Sequence, residues 1–182
     1  MVEKNSFIVT GASCSGKSTL IDEAVKNGYI YLPTHMTRAM RPGERDGESA
    51  IFLTNEQFED NFRKGIYLEP SLDFACLKAL GVYYGTPREW LKYLQFRDYC
   101  SSPVSISIAN DIYNQIGVIW IHLYCNDYDR YARLLSRGIS LEEVEKRMKS
   151  GDSINFPDHA TIINTSEMCP EEIIEKVRRL KR

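Results

Sequence analysis

The chain has 182 residues, which is enough for one domain with a core and a cleft. Its 23 basic and 25 acidic residues nearly cancel to a net charge of -2, so no global basic field favours nucleic acid or an anionic membrane. Five scattered cysteines show neither zinc-ligand spacing nor a C-x-x-C pair, and no apolar run is long enough for a signal peptide or a membrane span. The composition predicts a cytoplasmic protein with free thiols.

Short β-branched or aromatic runs alternate with segments of helical periodicity along the chain. In chain order the predicted strands are SFIVT, YIYLP, VSISIA, VIWIHLY and ATIIN, and a helix begins at about Ser18. This alternation predicts an α/β fold with a parallel sheet covered by helices. Further helix starts are predicted by capping boxes (Thr54 with Gln57, Thr86 with Glu89, Ser140 with Glu143) and by prolines suited to a first turn (Pro87, Pro170).

The region from about Pro33 to Thr86 interrupts the alternation. It is rich in turn residues, as in RPGERDGES, and it has short strand-like runs at IFL and GIYLE. We expect a small lobe inserted into the α/β core.

The segment GASCSGKST satisfies the phosphate-loop pattern G-x-x-x-x-G-K-S through Gly11, Gly16, Lys17 and Ser18. Its glycines let backbone amides approach phosphates, and the following helix contributes its positive N-terminal end. Lys17 would reach the outer phosphates of ATP and Ser18 would ligate Mg²⁺. The remaining loop residues predicted to contact ATP are Ala12, Ser13, Cys14, Ser15 and Thr19. The alternative is a glycine-rich turn that only caps a helix.

A second basic cluster, PTHMTRAMRPGERDG, follows the second predicted strand. Arg38 and Arg41 are three residues apart, so their planar guanidinium groups can grip one phosphate from two sides. The alternative is a pair of solvated arginines in a turn.

Taken together, these segments resemble a guanylate kinase. The matching pieces are GASCSGKST, THMTRAMRPGERDG, IFLTNEQFED, YLE, GVYYGT and RLLSRGISLEEVEKRM, in family order. The resemblance implies a P-loop kinase three-layer sandwich with a central parallel sheet, an inserted small mixed β lobe and a helical lid. It divides the single domain 1–182 into a core (1–32, 87–126 and 151–182), an acceptor-binding lobe (33–86) and a lid region (127–150).

The resemblance also assigns roles to matching residues. The acceptor phosphate would be held by Thr34, Arg38, Arg41, Tyr84 and Thr86. Glu69 would read the N1 and N2 donors of guanine, as suits an acceptor-only carboxylate. Arg133, Arg137 and Arg147 would close over the transferring phosphoryl group and exclude water. Asn164 would approach the adenine of ATP.

The implied activity is transfer of the ATP γ-phosphate to GMP, dGMP or both, giving the diphosphate and ADP, without a covalent phosphoenzyme. The expected partners are small nucleotides rather than nucleic acid or membrane, and the oligomeric state stays open. Two alternatives are a same-superfamily kinase with a non-guanine acceptor, such as a ribose bisphosphate kinase, and a non-catalytic guanylate kinase-like binding module.

Three departures from the family pattern stand out. VSISIAND places Ser107 and Ala109 where acidic residues are expected on the third core strand, and Asp111 would act from that strand's carboxyl end. Ala50 replaces an expected tyrosine. The link PSLDFACLKAL between Glu69 and Gly81 is longer than usual. These departures make strict guanine specificity less secure than the kinase prediction.

Overall fold

The structure, a computed structural model, describes residues 5–77, 81–149 and 158–180. In chain order its strands are β1 (Phe7–Gly11), β2 (Ile30–Leu32), β3 (His35–Met36), β4 (Ile51–Phe52), β5 (Cys76–Leu77), β6 (Val82–Gly85), β7 (Tyr99–Ser101), β8 (Ile119–Tyr124) and β9 (Thr161–Asn164). Its helices are α1 (Lys17–Lys26), α2 (Asn55–Arg63), α3 (Leu72–Ala75), α4 (Trp90–Leu94), α5 (Ile106–Ile116), α6 (Asp127–Leu135), α7 (Leu141–Lys149) and α8 (Pro170–Arg179). None of the helices within these ranges is long and apolar enough to cross a membrane.

The central sheet is parallel and has the order β2-β7-β1-β8-β9. Strand β1 lies in the middle, and the chain visits β2 and β7 on one side of it before it crosses to β8 and β9 on the other. The strand order therefore reverses beside β1, and ligands of open α/β sheets bind at the carboxyl ends of the strands at such a point.

Each face of this sheet has its own apolar core. Phe7 and Val9 of β1 pack with α1 and α8, whereas Ile8 points to the opposite face and packs with α4 and α5. The alternation follows from the period of two along a strand. Helices on both faces of a parallel sheet make a three-layer sandwich, so the predicted fold class is confirmed.

A second, mixed sheet has the order β4-β3-β6-β5. Strand β3 runs parallel to β4 and antiparallel to β6. The apolar cluster beneath it includes Phe58 and Tyr67, whose rings stack at 4.4 Å. This sheet with α2 and α3 is the small inserted lobe that the turn-rich sequence predicted. The predicted strand at GIYLE is wrong, since Tyr67 makes one isolated bridge with Pro87 and no continuous strand forms there.

The third core strand lies earlier in the chain than predicted. VSISIA is not a strand: Ser105 caps α5, its hydroxyl accepting a hydrogen bond from the backbone N–H of Ile108 at 3.2 Å. The alternation of Ser and Ile suggested a period of two, but the buried residues Ile108, Ala109 and Ile112 have helical spacing. The third core strand is β7, which lies between β2 and β1 in the sheet and ends at Ser101.

The predicted helix starts have mixed outcomes. The capping box of Thr54 and Gln57 is confirmed in both directions, and Pro170 is the first residue of α8. At Ser140 the hydroxyl accepts from the N–H of Glu143 at 3.3 Å. The box of Thr86 with Glu89 and the first-turn position of Pro87 are wrong, because α4 begins at Trp90. Thr86 instead bonds to residues distant in the chain.

Candidate active site

The loop between β1 and α1 has the backbone conformations of a phosphate loop. Gly11, Cys14 and Gly16 have positive φ values of 148°, 67° and 99°. The N–H of Ser15 donates to the carbonyl of Ala12 at 3.2 Å, and the buried Ser15 hydroxyl has no hydrogen-bond partner among the described residues. The loop is therefore curved tightly at the carboxyl end of the central strand, directly before the N-terminus of α1.

Replacing Gly11 with alanine is expected to destabilise the protein by about 2 to 4 kcal/mol, because strain and a backbone clash add. A Cβ atom there would lie 2.2 Å from the carbonyl oxygen of Leu123 on the neighbouring strand. Chemical denaturation measures the loss. The matched control is Gly47→Ala, where φ is also positive, at 79°, but a Cβ would meet nothing within 4 Å. Equal losses in the two variants would contradict the steric explanation.

The side chain of Lys17 lies across this loop. Its Nζ donates to the carbonyls of Gly11 at 2.6 Å and Ala12 at 2.8 Å. Burial, assisted by the positive charge of Arg137, lowers the pKa of Lys17 to about 8. A desolvated ammonium beside a guanidinium is a strong binding group for the phosphates of a nucleotide.

A cavity of about 530 Å³, here called the donor cavity, opens at the loop. Its lining combines the loop, the end of α6, and the segment after β9 (Ser13, Cys14, Gly16, Lys17, Ser18, Thr19, Leu20, Arg41, Arg133, Ser136, Arg137, Thr165, Met168, Cys169, Pro170, Ile173). Among the described residues its lining has four basic side chains and no acidic one, so its charge suits a polyphosphate.

Arg133 joins α6 to the phosphate loop. Its Nη1 donates to the carbonyl of Cys14 at 3.3 Å and to Oγ1 of Thr165 at 3.0 Å, and its Nη2 donates to the carbonyl of Thr165 at 3.2 Å. The Thr165 hydroxyl in turn donates to the carbonyl of Ser15 at 3.0 Å. The position of this arginine at the loop is therefore fixed by three contacts.

Arg130 plays a part that the sequence analysis missed. It is 5% exposed and donates to the carbonyl oxygens of Ser13 at 3.3 Å, Arg147 at 2.5 Å and Met148 at 3.4 Å. It thus holds the end of α7 against the phosphate loop. The signal was present, because residue 130 lies one helical turn before Arg133 and on the same face.

The other two predicted lid arginines differ in position. Arg137 follows the end of α6, is exposed and lines the donor cavity. Arg147 lies on α7 and does not line that cavity. Its Nε donates to Oε1 of Glu143 at 2.7 Å, which is the one-turn pairing of a solvated helix.

A second cavity of about 970 Å³, here called the acceptor cavity, lies on the other side of Lys17. It is lined by α1, β2 and the loop after β3, and Thr34, Arg38 and Ser102 are among its residues. Arg38 and Glu44 form a bidentate pair, with N–O distances of 2.7 Å and 2.6 Å. The hydrogen bond from Arg38 holds the pKa of Glu44 below its ordinary value. The pair fixes the arginine-rich loop in one shape.

Lys17, Ser18 and Arg41 line both cavities. The backbone N–H of Arg41 donates to Oε2 of Glu44 at 2.7 Å, whereas its guanidinium makes no hydrogen bond to the described residues. Burial lowers the pKa of Arg41, and the nearby charges of Arg38 and Arg137 lower it as well. Three guanidinium groups converge here, and among the described residues Glu44 is the carboxylate that offsets their charge, through its pair with Arg38, so the junction favours a further negatively charged ligand.

A third cavity of about 380 Å³ adjoins the acceptor cavity, and the two share Lys17, Thr34, Met36 and Ser102. Tyr84 lines it, and so does Phe74 of the short helix α3. Phe74 is 42% exposed, which is high for a phenylalanine in a lobe with its own apolar cluster. The long link after Glu69 thus supplies an aromatic ring to the wall of this cavity.

Glu69 and Thr86 are brought together by the structure and buried. Both carboxylate oxygens of Glu69 accept from the backbone N–H of Thr86 at 2.9 Å, and the Thr86 hydroxyl accepts from the N–H of Val104 at 3.2 Å. Glu69 is 3% exposed, and neither residue lines the three cavities. Burial raises the pKa of Glu69 above its ordinary value, in opposition to its hydrogen bonds.

Comparisons with known proteins identify the family. The family model "Guanylate kinase" matches residues 3–95. A guanylate kinase of Lactiplantibacillus plantarum is 36% identical over 94% of this chain and 86% of its own length. The chain belongs to the guanylate kinase family. A guanylate kinase of Vibrio vulnificus is 39% identical, but the match covers 47% of this chain and only 41% of that protein.

The crystal structure of guanylate kinase from Anaplasma phagocytophilum has the same fold. It superposes with a TM-score of 0.61 at 16% identity and covers 97% of this chain and 84% of that one. The family model matches residues 3–95, so the sequence similarity is strongest in the first half of the chain. This half holds the phosphate loop and the arginine-rich loop.

This chain departs from the expected pattern of the guanylate kinase family at the end of its third core strand. Ser107 and Ala109 lie on α5, where Ala109 is fully buried, and Asp111 is exposed on the same helix, so none of them stands on the strand as expected. The segment 99–105 contains no acidic residue, and Ser102 follows the strand into the acceptor cavity. The structure therefore agrees with the sequence analysis that this strand ends without a carboxylate.

Two other residues lie outside the three cavities. Ala50 is buried in the lobe, with its carbonyl accepting from the N–H of Gly47 at 2.8 Å. The amide of Asn164 donates to Oδ1 of Asn126 at 3.2 Å and Oε1 of Glu167 at 2.7 Å. Its neighbour Thr165 lines the donor cavity instead, so the adenine contact at Asn164 stays a prediction.

The four cysteines whose side chains the structure describes are free thiols: Cys14, Cys100, Cys125 and Cys169. Cys14 is buried in an apolar cluster with Leu134 and Val144 beneath the ends of α6 and α7. Cys14 therefore packs as a small apolar side chain within the loop.

Proposed function

We propose that this chain is an ATP-dependent kinase that transfers the γ-phosphoryl group to GMP or dGMP and yields ADP and the nucleoside diphosphate. The observation that carries the proposal is that Lys17, Ser18 and Arg41 line both the donor and the acceptor cavity. One set of charged and hydroxyl groups therefore borders both reactants, as an in-line transfer requires.

On the donor side, the backbone amides of the loop and the N-terminus of α1 would bind the ATP phosphates. Lys17 would leave its two loop carbonyls for phosphate oxygens, and Arg133 and Arg137 would neutralise charge on the transferring group. Arg130 would position the lid rather than touch the nucleotide. Arg147, bound to Glu143, would need to change partner before it could contribute.

The Ser18 hydroxyl fits a role in Mg²⁺ binding. It is an exposed oxygen donor that lines both cavities and makes no hydrogen bond to the described residues. Magnesium prefers oxygen ligands and retains several waters, so one protein hydroxyl with phosphate oxygens suits it. When bound, the ion would offset the negative charge of the β- and γ-phosphates.

On the acceptor side, Arg38 and Arg41 would hold the monophosphate, with Thr34 and Tyr84 as hydroxyl partners. Glu44 fixes Arg38 before the ligand arrives, which lowers the entropy cost of binding. We also propose that the lobe 33–86 and the lid 127–150 act as separate parts around the core.

We propose that Glu69 reads guanine, and its raised pKa gives a pH test. The ionised carboxylate can only accept hydrogen bonds, so kcat/KM for GMP should rise with pH through a pKa above the ordinary glutamate value. Glu69→Gln should lower kcat/KM for GMP by about 10- to 100-fold and flatten this rise, because the amide offers a donor to a donor. If Glu69→Gln kept the same rise of kcat/KM with pH as the wild-type protein, the role of Glu69 in reading guanine would be contradicted.

The same shift has a consequence for stability. Because the folded pKa of Glu69 is raised, its contribution to stability is fully present below the unfolded pKa and is lost as pH rises through the folded value. The ionised carboxylate in its buried position therefore lowers the free energy of unfolding. Such a cost is typical of a functional group.

A coupled assay with ATP, Mg²⁺ and a panel of GMP, dGMP, AMP, CMP, UMP and dTMP tests the proposal. We expect turnover of GMP or dGMP well above that of the other four. Turnover of another acceptor alone would identify a kinase of different specificity, and binding of GMP without any turnover would identify a binding module.

A further inference from the structure

The cavities around the phosphate loop contain few carboxylates. The donor cavity and the smallest cavity have none, and the acceptor cavity has Asp22, Glu44 and Glu48. Glu44 is occupied by Arg38 and by the N–H of Arg41, and Glu48 is an exposed partner of Arg45. Asp22 is therefore the one carboxylate of these cavities without a basic partner among the described residues.

Asp22 is placed by the same helix as Ser18. The two residues are four apart on α1, so their side chains lie on one face, with Cβ atoms about 6 Å apart. Both line the acceptor cavity together with Lys17. Tyr31 lines the same cavity, and burial raises the pKa of its phenol.

We propose that Asp22 positions the Mg²⁺ ion of the proposed reaction through a metal-bound water, in place of the carboxylate missing from the third core strand. The distances suit one bridging water. A serine–magnesium bond of about 2.1 Å, a magnesium–water bond of about 2.1 Å and a water–carboxylate hydrogen bond of about 2.7 Å reach at most about 7 Å, which is enough to span side chains one helical turn apart.

Asp22 is a positioning residue in this arrangement. Ser18 would supply a protein oxygen to the ion, and Asp22 would accept a hydrogen bond from a water bound to it. Asp22 and Asp111, the other candidate, are both exposed, but Asp111 lies on α5 and lines none of the three cavities. In this arrangement the acidic group that assists the metal lies on the first turns of α1 and not at the end of a strand.

Binding of Mn²⁺, followed by electron paramagnetic resonance in the presence of a non-hydrolysable ATP analogue, tests the proposal without turnover. Asp22→Asn should weaken Mn²⁺ binding by about tenfold, as is usual when a group that orients a metal ligand is lost. Asp22→Glu should recover part of the affinity. The control is Glu23→Gln on the same helix, whose carboxylate faces Lys26 and Asn27 and should not matter to the metal.

The inference rests on the proposed function, but the experiments can refute either one without refuting the other. Unchanged Mn²⁺ affinity in Asp22→Asn would overturn the role of Asp22 even if the wild-type protein phosphorylates GMP. A loss of GMP binding measured without metal, with Mn²⁺ affinity intact, would overturn it too and assign Asp22 to the acceptor. Failure of the wild-type protein in the nucleotide panel would leave the Mn²⁺ comparison interpretable, because it needs only the bound analogue.

Discussion

Replacing Lys17 with alanine is expected to lower kcat by about 10²- to 10³-fold, the usual loss when one preorganised charge at a transition state is removed. Lys17 lines all three cavities and is the group that can follow the phosphoryl group from donor to acceptor. Steady-state kinetics with ATP and GMP measures the effect. The control is Lys26→Ala on the last turn of α1, whose side chain is 73% exposed.

A measurement of the free energy of unfolding distinguishes a loss of catalysis in Lys17→Ala from misfolding of the variant. Because the folded pKa of Lys17 is lowered to about 8, the residue's contribution to stability is present above the unfolded pKa and is lost as pH falls through the folded value. At pH 7 the buried charge is a cost, so Lys17→Ala should not lower the free energy of unfolding. An inactive variant that is also much less stable would contradict the account.

Arg41→Ala is expected to raise KM for the acceptor by about 10- to 100-fold and to lower kcat as well. Its guanidinium lies where the two cavities meet and makes no hydrogen bond to the described residues, so a charge-assisted bond to phosphate would be lost outright. Such a bond contributes about 1.5 to 3 kcal/mol. Initial rates at varied GMP and at varied ATP measure the two parameters.

Arg45→Ala is the matched control for Arg41. It belongs to the same loop and also follows Arg38, but its side chain is 76% exposed and pairs with Glu48 at 3.5 Å. We expect a KM close to that of the wild type, since exposed pairs contribute little. Similar losses in the two variants would mean that the loop binds the acceptor by charge alone.

Local sequence determines the parts of the site that could be predicted. The phosphate loop is one contiguous segment whose glycines, lysine and serine must occupy fixed positions between a strand and a helix. Arg38 and Arg41 were also predicted, because the chemistry of phosphate recognition is visible in two guanidinium groups three residues apart, and both line the acceptor cavity. The sequence could not reveal that Glu44 would fix one of them and leave the other available.

Longer-range packing determines the parts that were missed. VSISIA has the alternation of a strand, but burial of Ile108, Ala109 and Ile112 against the sheet makes it a helix. The mutual burial of Glu69 and Thr86 joins residues 17 apart, and Arg130 joins α6 to carbonyls on two other segments. No local pattern carries such contacts.

The expected lid also differs in detail from the prediction. Arg133 is fixed to the loop by Thr165, Arg137 borders the donor cavity, and Arg147 is paired with Glu143. Residue 150 of the predicted lid region 127–150 lies outside the described residues, as do residues 151–157 of the predicted core. The three arginines are therefore not equivalent, and their predicted shared role in closure stays a proposal.

The central claim is that one cleft passes a phosphoryl group from ATP to GMP, and product analysis tests it most directly. Incubation with ATP, Mg²⁺ and GMP, followed by chromatographic quantification of nucleotides, should give ADP and GDP in equal amounts, both strongly reduced in Arg41→Ala. Formation of ADP without GDP, at a rate independent of GMP, would show transfer to water and would contradict the claim.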